Sequence, residues 1–352
     1  MQIDFHHTTT YVVARLAGFN KLQAGIIAHT AQYVDDATSS GTVFFDNKAL
    51  YNRISSAHKI LDMRNTRALA NHQVWIPFHF LPGNGGKGIG KNPKGKFINK
   101  IVCIPDSPVA QNMVENAIIN QNRPYSLHLL GIVMHAYADT WAHQGFAGVI
   151  HPVNEVEKAR DTGNSGVFNN SLTRILHDLL DDAIPPLGHG RALTFPDVPF
   201  LSWEYKNGNN ELITRNNTDI FCDAAKGMFK AMRRYLAGNP AKKAGVINKK
   251  DMAQIKLLFT DTKEKDGEKR HTVWLKAIRD GKFSFGPEKV AYAARGKGSW
   301  KEQALGTSYD ISVHTYNKHF LNSNWKLFHD AIQAYRFIMI HDILPKFGIC
   351  AA

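Results

Sequence analysis

The stretch from Asn122 to His143 constrains the fold most, because it reads as one helix whose apolar run leads into a row of ionisable side chains. Asn122-Arg123-Pro124 has the form of a helix start, with proline near the first turn, and Leu127, Leu129, Leu130, Ile132 and Val133 carry the helix onward. At about 100° per residue, His128, His135, Asp139 and His143 fall within roughly an 80° sector. At about 1.5 Å of rise per residue, His135 and His143 stand roughly 12 Å apart at the backbone, with Asp139 midway. One ion cannot easily take both histidines. Asp139 can instead ligate or bridge ions on either side, as in multinuclear sites whose metals lie about 3.5–4 Å apart. Imidazole and carboxylate are the ligands zinc prefers where thiolate is absent. A merely solvated polar face accounts less well for a His-x-x-x-Asp-x-x-x-His run that shares its sector with His128.

Such a site needs ligands from other segments. His6 and His7 lie in DFHH near the start of the chain. His29 and Asp36 are seven residues apart and share a helix face, while Asp35 points about 100° away from Asp36. Periodicity does not choose between Asp35 and Asp36, and whichever is not engaged by metal is a candidate general base. His79 sits in WIPFHFLP between two prolines, His177 and Asp181 form an i, i+4 pair in ILHDLLDD, and His189 follows in PPLGHG. Taken singly, each is as readily a surface residue. Their accumulation carries the argument.

Around this centre the pattern is mainly α with a few short strands. Two helices fit residues 10 to 38, broken near Gly18 to Asn20, and helical spacing returns at 48–74, 171–183, 218–237 and 324–343. Trp75 to Pro82 reads as a turn or extended segment, Gly83 to Lys96 as a mobile basic loop, Ile98 to Ile104 as a strand, and Gly188 to Tyr205 as irregular. Residues 239–310 lack clear periodicity until Lys289 to Ala294. The expected organisation is a metal-binding helical core over 1–238, a polar basic insertion or lid over 239–310, and a C-terminal helix in 311–352 that packs on the core.

Lys plus Arg number 43 against 30 Asp plus Glu, a formal charge of +13 that draws the protein towards polyanions such as nucleic acid or anionic lipid, with peripheral membrane contact. The three cysteines are far apart and without CxxC spacing, which excludes a disulfide framework and a thiolate zinc site. MQIDFHHTTT lacks the pattern of a signal peptide, and no apolar run reaches the roughly 20 residues of a bilayer span. The expectation is a protein cytoplasmic as synthesised, with signal-less export open. Oligomeric state is not readable.

These motifs resemble the zinc-dependent phospholipase C and S1/P1 nuclease superfamily, over roughly residues 1 to 190. His6 or His7 is similar to that family's early histidine ligand, Tyr33-Val34-Asp35 to its aromatic, small residue, Asp motif, and His79 to its aromatic-flanked histidine. His135 and Asp139 match its central His-x-x-x-Asp pair, and His177 with Asp181 a later one. The resemblance implies an all-helical bundle with two or three zinc ions in a cleft, where a metal-activated water attacks a phosphodiester. That family also uses the amino group of a processed N-terminal tryptophan as a ligand, whereas this chain begins Met-Gln-Ile-Asp. DFHH, AQYVDDAT, HAYADTWAHQGF and PPLGHG with TFPDVPFLSW further resemble an uncharacterised bacterial family.

Other signals are weaker. GGKGIGK (Gly85 to Lys91) lacks the Ser or Thr of a phosphate-binding P-loop, and Pro93 interrupts the helix start. His177-Asp178, His329-Asp330 and His341-Asp342 are similar to the pairs of HD-domain phosphohydrolases, the enzymatic alternative. The sequence therefore leads to a zinc-dependent phosphodiester hydrolase acting on phospholipid or nucleic acid, whose charge and lack of a signal also suit a delivered toxin. The non-enzymatic alternative is a metal-stabilised polyanion-binding protein.

Overall fold

A computed structural model describes residues 1–58, 72–163, 165–167 and 185–350. A wide π-type turn (Asp4–Thr9) leads into α1 (Thr10–Ala17), which ends at Gly18 with φ 111°, a left-handed stop that suits a residue without Cβ. The next helix, α2 (Lys21–Asp36), starts in a capping box in which Asn20 and Gln23 satisfy each other's backbone N–H groups. A single turn, α3 (Ile98–Ile101), and α4 (Pro108–Ile119) precede the central α5 (Ser126–Ala142).

Every residue of α5 from His128 to Ala142 is buried, since α2, α4, α6 (Asn217–Leu236) and α10 (Asn324–Phe337) pack around it. The α2–α5 crossing is close at Gly131, where a Cβ would lie 2.5 Å from Thr30 Cβ and 2.7 Å from the Ile27 carbonyl oxygen. That approach brings the Ala31 carbonyl within 2.7 Å of His135 Nδ1.

Two small antiparallel sheets accompany the helices: β1 (Gly41–Phe44) with β2 (Leu50–Arg53), and β3 (Val156–Asp161), β4 (Ser202–Asn207) and β5 (Leu212–Asn216) in the order β3-β4-β5. Beneath the second sheet Phe80, Phe146, Phe195, Trp203 and Tyr205 form their own apolar cluster. Asn217 ties that cluster together. Its side-chain amide donates to the carbonyls of Phe195 (2.6 Å) and Val198 (2.8 Å), and its oxygen accepts from Trp203 Nε1 at 3.0 Å.

The helices expected at 10–38, 218–237 and 324–343 are present, the last continuing as a wide turn over Ile338–Ile343. Several expectations are corrected. Residues 50–53 are a strand, Ile98–Ile101 is helical, and residues 202–205 begin β4, while the turn expected after Val74 takes a π-type form over Trp75–His79. The Gly83 to Lys96 loop is tied down: Asn84 Nδ2 donates to the Lys87 and Lys91 carbonyls, both at 3.0 Å, and Gly90 N donates to Lys346 O.

The largest difference concerns 239–310, which holds α7 (Lys249–Asp261), α8 (Gly267–Arg279) and α9 (Trp300–Leu305). Only a narrow stripe of α7 and α8 is buried, including Ile255, Phe259, Trp274 and Ile278, so long polar faces hid their periodicity. Of these, α8 packs on the first turn of the chain, where Arg270 Nε meets Asp4 Oδ2 at 2.6 Å and both side chains are fully buried. Among the described residues no helix is long and apolar enough to cross a membrane. The expected helix at 171–183, and residues 59–71 of the one expected at 48–74, lie outside the described residues.

Candidate metal centre

The site forms where α5, the end of α2 and three irregular segments meet at a cleft of about 470 Å³. The π-type turn Trp75–His79 is pinned from α10 by the Tyr335 hydroxyl, which donates to the Pro77 carbonyl at 2.6 Å. That turn presents His79 to α5. The Asp4–Thr9 turn presents His6, and the Asn217-anchored turn presents Asp197.

Four histidines share one arrangement. His135 Nδ1 donates to Ala31 O (2.7 Å), His143 Nδ1 to His79 O (2.7 Å), His79 Nε2 to Ser56 O (2.9 Å) and His189 Nδ1 to Leu193 O (3.1 Å). A backbone carbonyl only accepts, so each contact fixes the proton on the outer nitrogen and turns a lone pair inward. Those lone pairs meet carboxylates. His135 Nε2 lies 3.3 Å and His79 Nδ1 3.6 Å from Asp139 Oδ2, and His189 Nε2 lies 3.7 Å from Asp197 Oδ2. His143 Nε2 is 3.9 Å from Asp197 Oδ1. His6 Nε2 stands 3.2 Å from Asp139 Oδ1, yet neither of its ring nitrogens has a hydrogen-bond partner.

His79 Nδ1, His135 Nε2, Asp139 Oδ2 and Asp35 Oδ1 make a four-donor set. Five of its six edges measure 3.2, 3.3, 3.6, 3.7 and 3.8 Å. Tetrahedral zinc with bonds near 2.0–2.1 Å has donor–donor edges of about 3.3 Å. Three groups fit a metal on distance: His79, His135 and Asp139; His6, Asp35 and His135; and His143, His189 and Asp197. The first two share His135 and the third stands apart, so Asp139 joins one group only, although its Oδ1 also lies 3.2 Å from His6 Nε2.

The charge states suit ligation. Burial, above all, holds the His6 imidazole well below its ordinary value, and keeps His135 and His189 down at about 4, so these rings are neutral near pH 7. Burial works against ionisation of Asp139 and Asp197, but the neighbouring imidazoles and the Met1 ammonium prevail and keep both carboxyls well below the usual range. Asp35 moves the other way, because desolvation and the Asp139 charge both raise its pKa. A third of its side chain remains exposed, and water there tempers the effect.

The chain's amino group also reaches the cleft. Met1 N lies 3.0 Å from Asp139 Oδ1 and 3.1 Å from Asp197 Oδ1, and although burial opposes its charge, the carboxylates raise its pKa to about 11.

The sequence candidates divide accordingly. His6, Asp35, His79, Asp139, His135, His143 and His189 converge. Asp36 does not, since it faces away and accepts from Tyr292 (2.5 Å) and Gln32 (3.1 Å). His7 is turned to His271 (2.8 Å), and His29 stacks on Trp300 with ring centroids 3.8 Å apart. Neither joins a metal-sized group among the described residues. His177 and Asp181 lie outside the described residues. His128, though on the predicted face, bonds Asn324 at 3.1 Å. His329 packs on Trp325 and His341 on Phe337, away from the cleft. Asp197 is the residue that motif reading missed. Its signal was the one used for His79, a polar side chain held between two prolines, here Pro196 and Pro199.

A model of a family of unknown function, DUF6765, matches residues 1–343, nearly the whole chain. The chain belongs to that family. No curated protein and no solved structure matches it. The DUF6765 match spans both the segments that line the cleft and α7 to α10, but it brings no activity with it.

Proposed function

We propose that this protein is a metal-dependent hydrolase, with zinc as its metal and a phosphodiester as its substrate. The observation that carries the reading is the carbonyl-anchored set of four histidines, whose inward lone pairs face carboxylate oxygens without a proton to share. Lone pair against carboxylate is repulsive at these distances; the Met1 ammonium, 3.0 Å from Asp139 and 3.1 Å from Asp197, offsets part of the negative charge, and a metal ion would also engage the inward lone pairs. The unpartnered His6 ring supports the same occupancy.

Bound zinc supplies Lewis acidity at a phosphoryl oxygen and makes a water acidic enough to attack near neutral pH. The chain's residues then have distinct tasks. His79, His135 and Asp139 hold one ion, His143, His189 and Asp197 another, and His6 shares the region between. Asp35 turns Oδ1 to the histidines, which leaves Oδ2 at the cleft to take a proton from the attacking water. Trp75 and Phe80 limit the water around the reacting atoms. None of the described residues lining the cleft is Lys or Arg, and the Met1 ammonium is already paired with Asp139 and Asp197, so an anionic substrate would rely chiefly on the metals for charge neutralisation. The resemblance to phospholipase C and S1/P1 nucleases favours phosphodiesters over other hydrolysable esters.

Metal analysis with turnover of bis(p-nitrophenyl) phosphate tests the reading. Purified protein with less than one metal per chain overturns it, as does metal-loaded protein whose hydrolysis persists in Asp139→Ala. Metal content without turnover leaves the metal-stabilised binding protein. Comparing phosphatidylcholine, phosphatidylglycerol and single-stranded DNA separates lipid from nucleic-acid substrates.

A further inference from the structure

Asp35 and Asp36 face opposite sides of the end of α2, and on the Asp36 side lies a cavity of about 140 Å³ lined by Arg53, Arg295, Lys301, Asp310 and His329 among others. We propose that this cavity is a phosphate-binding site, separate from the metal centre, for a phosphomonoester-class anion.

The charges are unbalanced. Arg53 and Lys301 are only 11% and 13% exposed, and both bind the same oxygen of Asp310, at 2.9 and 2.6 Å, while Asp310 is itself 57% exposed. Asp36 lines the same cavity and offsets one of them, since hydrogen bonds from the neutral Tyr292 and Gln32 leave its charge in place. Arg295, exposed at the rim, adds a third cation and touches Thr38 Oγ1 at 3.3 Å.

Hydrogen-bonding capacity is also unused, since Arg53 Nε and His329 Nδ1 are buried without a partner. Enclosed cations with spare donors are costly unless an anion with several acceptor oxygens joins them. A hydrogen phosphate supplies those oxygens, and its P–OH can donate to the His329 ring. The volume admits such a group but not a nucleotide, which needs a pocket of roughly 300 Å³ or more.

Two sources share this chemistry, free phosphate and a lipid phosphate head. The rim segment bears Tyr309, Ile311 and Val313, which are 77%, 51% and 50% exposed.

Inorganic phosphate titrated by calorimetry into chelator-treated protein tests the site. Saturable binding is expected, weakened about tenfold or more in Lys301→Met and in the surface variant Arg295→Gln, and unchanged in Asp139→Ala. No saturable binding, or binding lost in Asp139→Ala and kept in both cation variants, overturns it. Sedimentation with phosphatidylcholine vesicles, with and without phosphatidate, identifies the source. Phosphatidate-dependent, Lys301-dependent binding supports a lipid head; phosphate binding without it supports the soluble anion.

Discussion

His135 Nε2 and Asp139 Oδ2 face each other across 3.3 Å while the other nitrogen of the same imidazole gives its proton to Ala31. The two atoms are one helical turn apart on α5, so the contact is local, yet its chemistry is set by α2. Without the Ala31 carbonyl the ring could place a proton between itself and the carboxylate and form an ordinary ion pair. With it, two electron-rich atoms face each other with no proton between them, as the metal reading requires.

Replacing Asp139 by Asn keeps the volume and removes the charge. On the proposed function, metal content is expected to fall by at least one ion per chain, and phosphodiester turnover by about a thousandfold or more, since the carboxylate donor grouped with His79 and His135 is lost. Elemental analysis and steady-state rates check this, and retained metal with retained turnover refutes it.

Chelation should lower stability as well as activity. Metal bound to the native state adds RT ln(1 + [L]/Kd), about 4 kcal/mol at a thousandfold excess over Kd. A lower midpoint in denaturant with EDTA, restored by excess zinc, is the expected result. An unchanged midpoint argues against a resident metal.

Gly131→Ala tests the crossing that delivers Ala31. The new Cβ would lie 2.5 Å from Thr30 Cβ, so α2 must shift, at about 1–3 kcal/mol. Displacing α2 also displaces the carbonyl that orients His135. Thermal melts and zinc affinity should therefore both fall, whereas an ordinary packing defect far from the site would lower only the first.

Acid should destabilise the chelated protein in a defined window. Burial holds His29 and His329 at about 3 and His128 at about 4, against an ordinary 6.5. The unfolded chain binds protons at these rings before the native one does, so stability rises with pH across that interval and is lost as pH falls below 6.5. Each ring contributes about 1.4 kcal/mol per pH unit at most. Denaturation between pH 7 and pH 4.5 reads the slope, which His329→Gln should make shallower.

Much of the centre is legible in the sequence because α5 obeys a strict period: once the helix is drawn, Asp139 stands between two histidines. What decides Asp35 over Asp36 is Tyr292, more than 250 residues away, which binds Asp36 and holds it apart. His7 and His29 are likewise claimed by His271 and Trp300, partners that no local pattern reveals. Asp197 depends on Asn217 to hold its turn, again across distance. In the fold, α2 and α6 have broad apolar faces and are readable, whereas α7 and α8 bury too little.

The Arg270–Asp4 pair ties the turn that carries His6 to a helix 266 residues further along the chain. Both side chains are fully buried, so a fragment without residue 270 leaves the Asp4 carboxylate enclosed with no counter-charge. The segments that bear most of the candidate ligands are therefore no autonomous unit, and cutting the chain before residue 270 removes the support of the turn on which His6 sits.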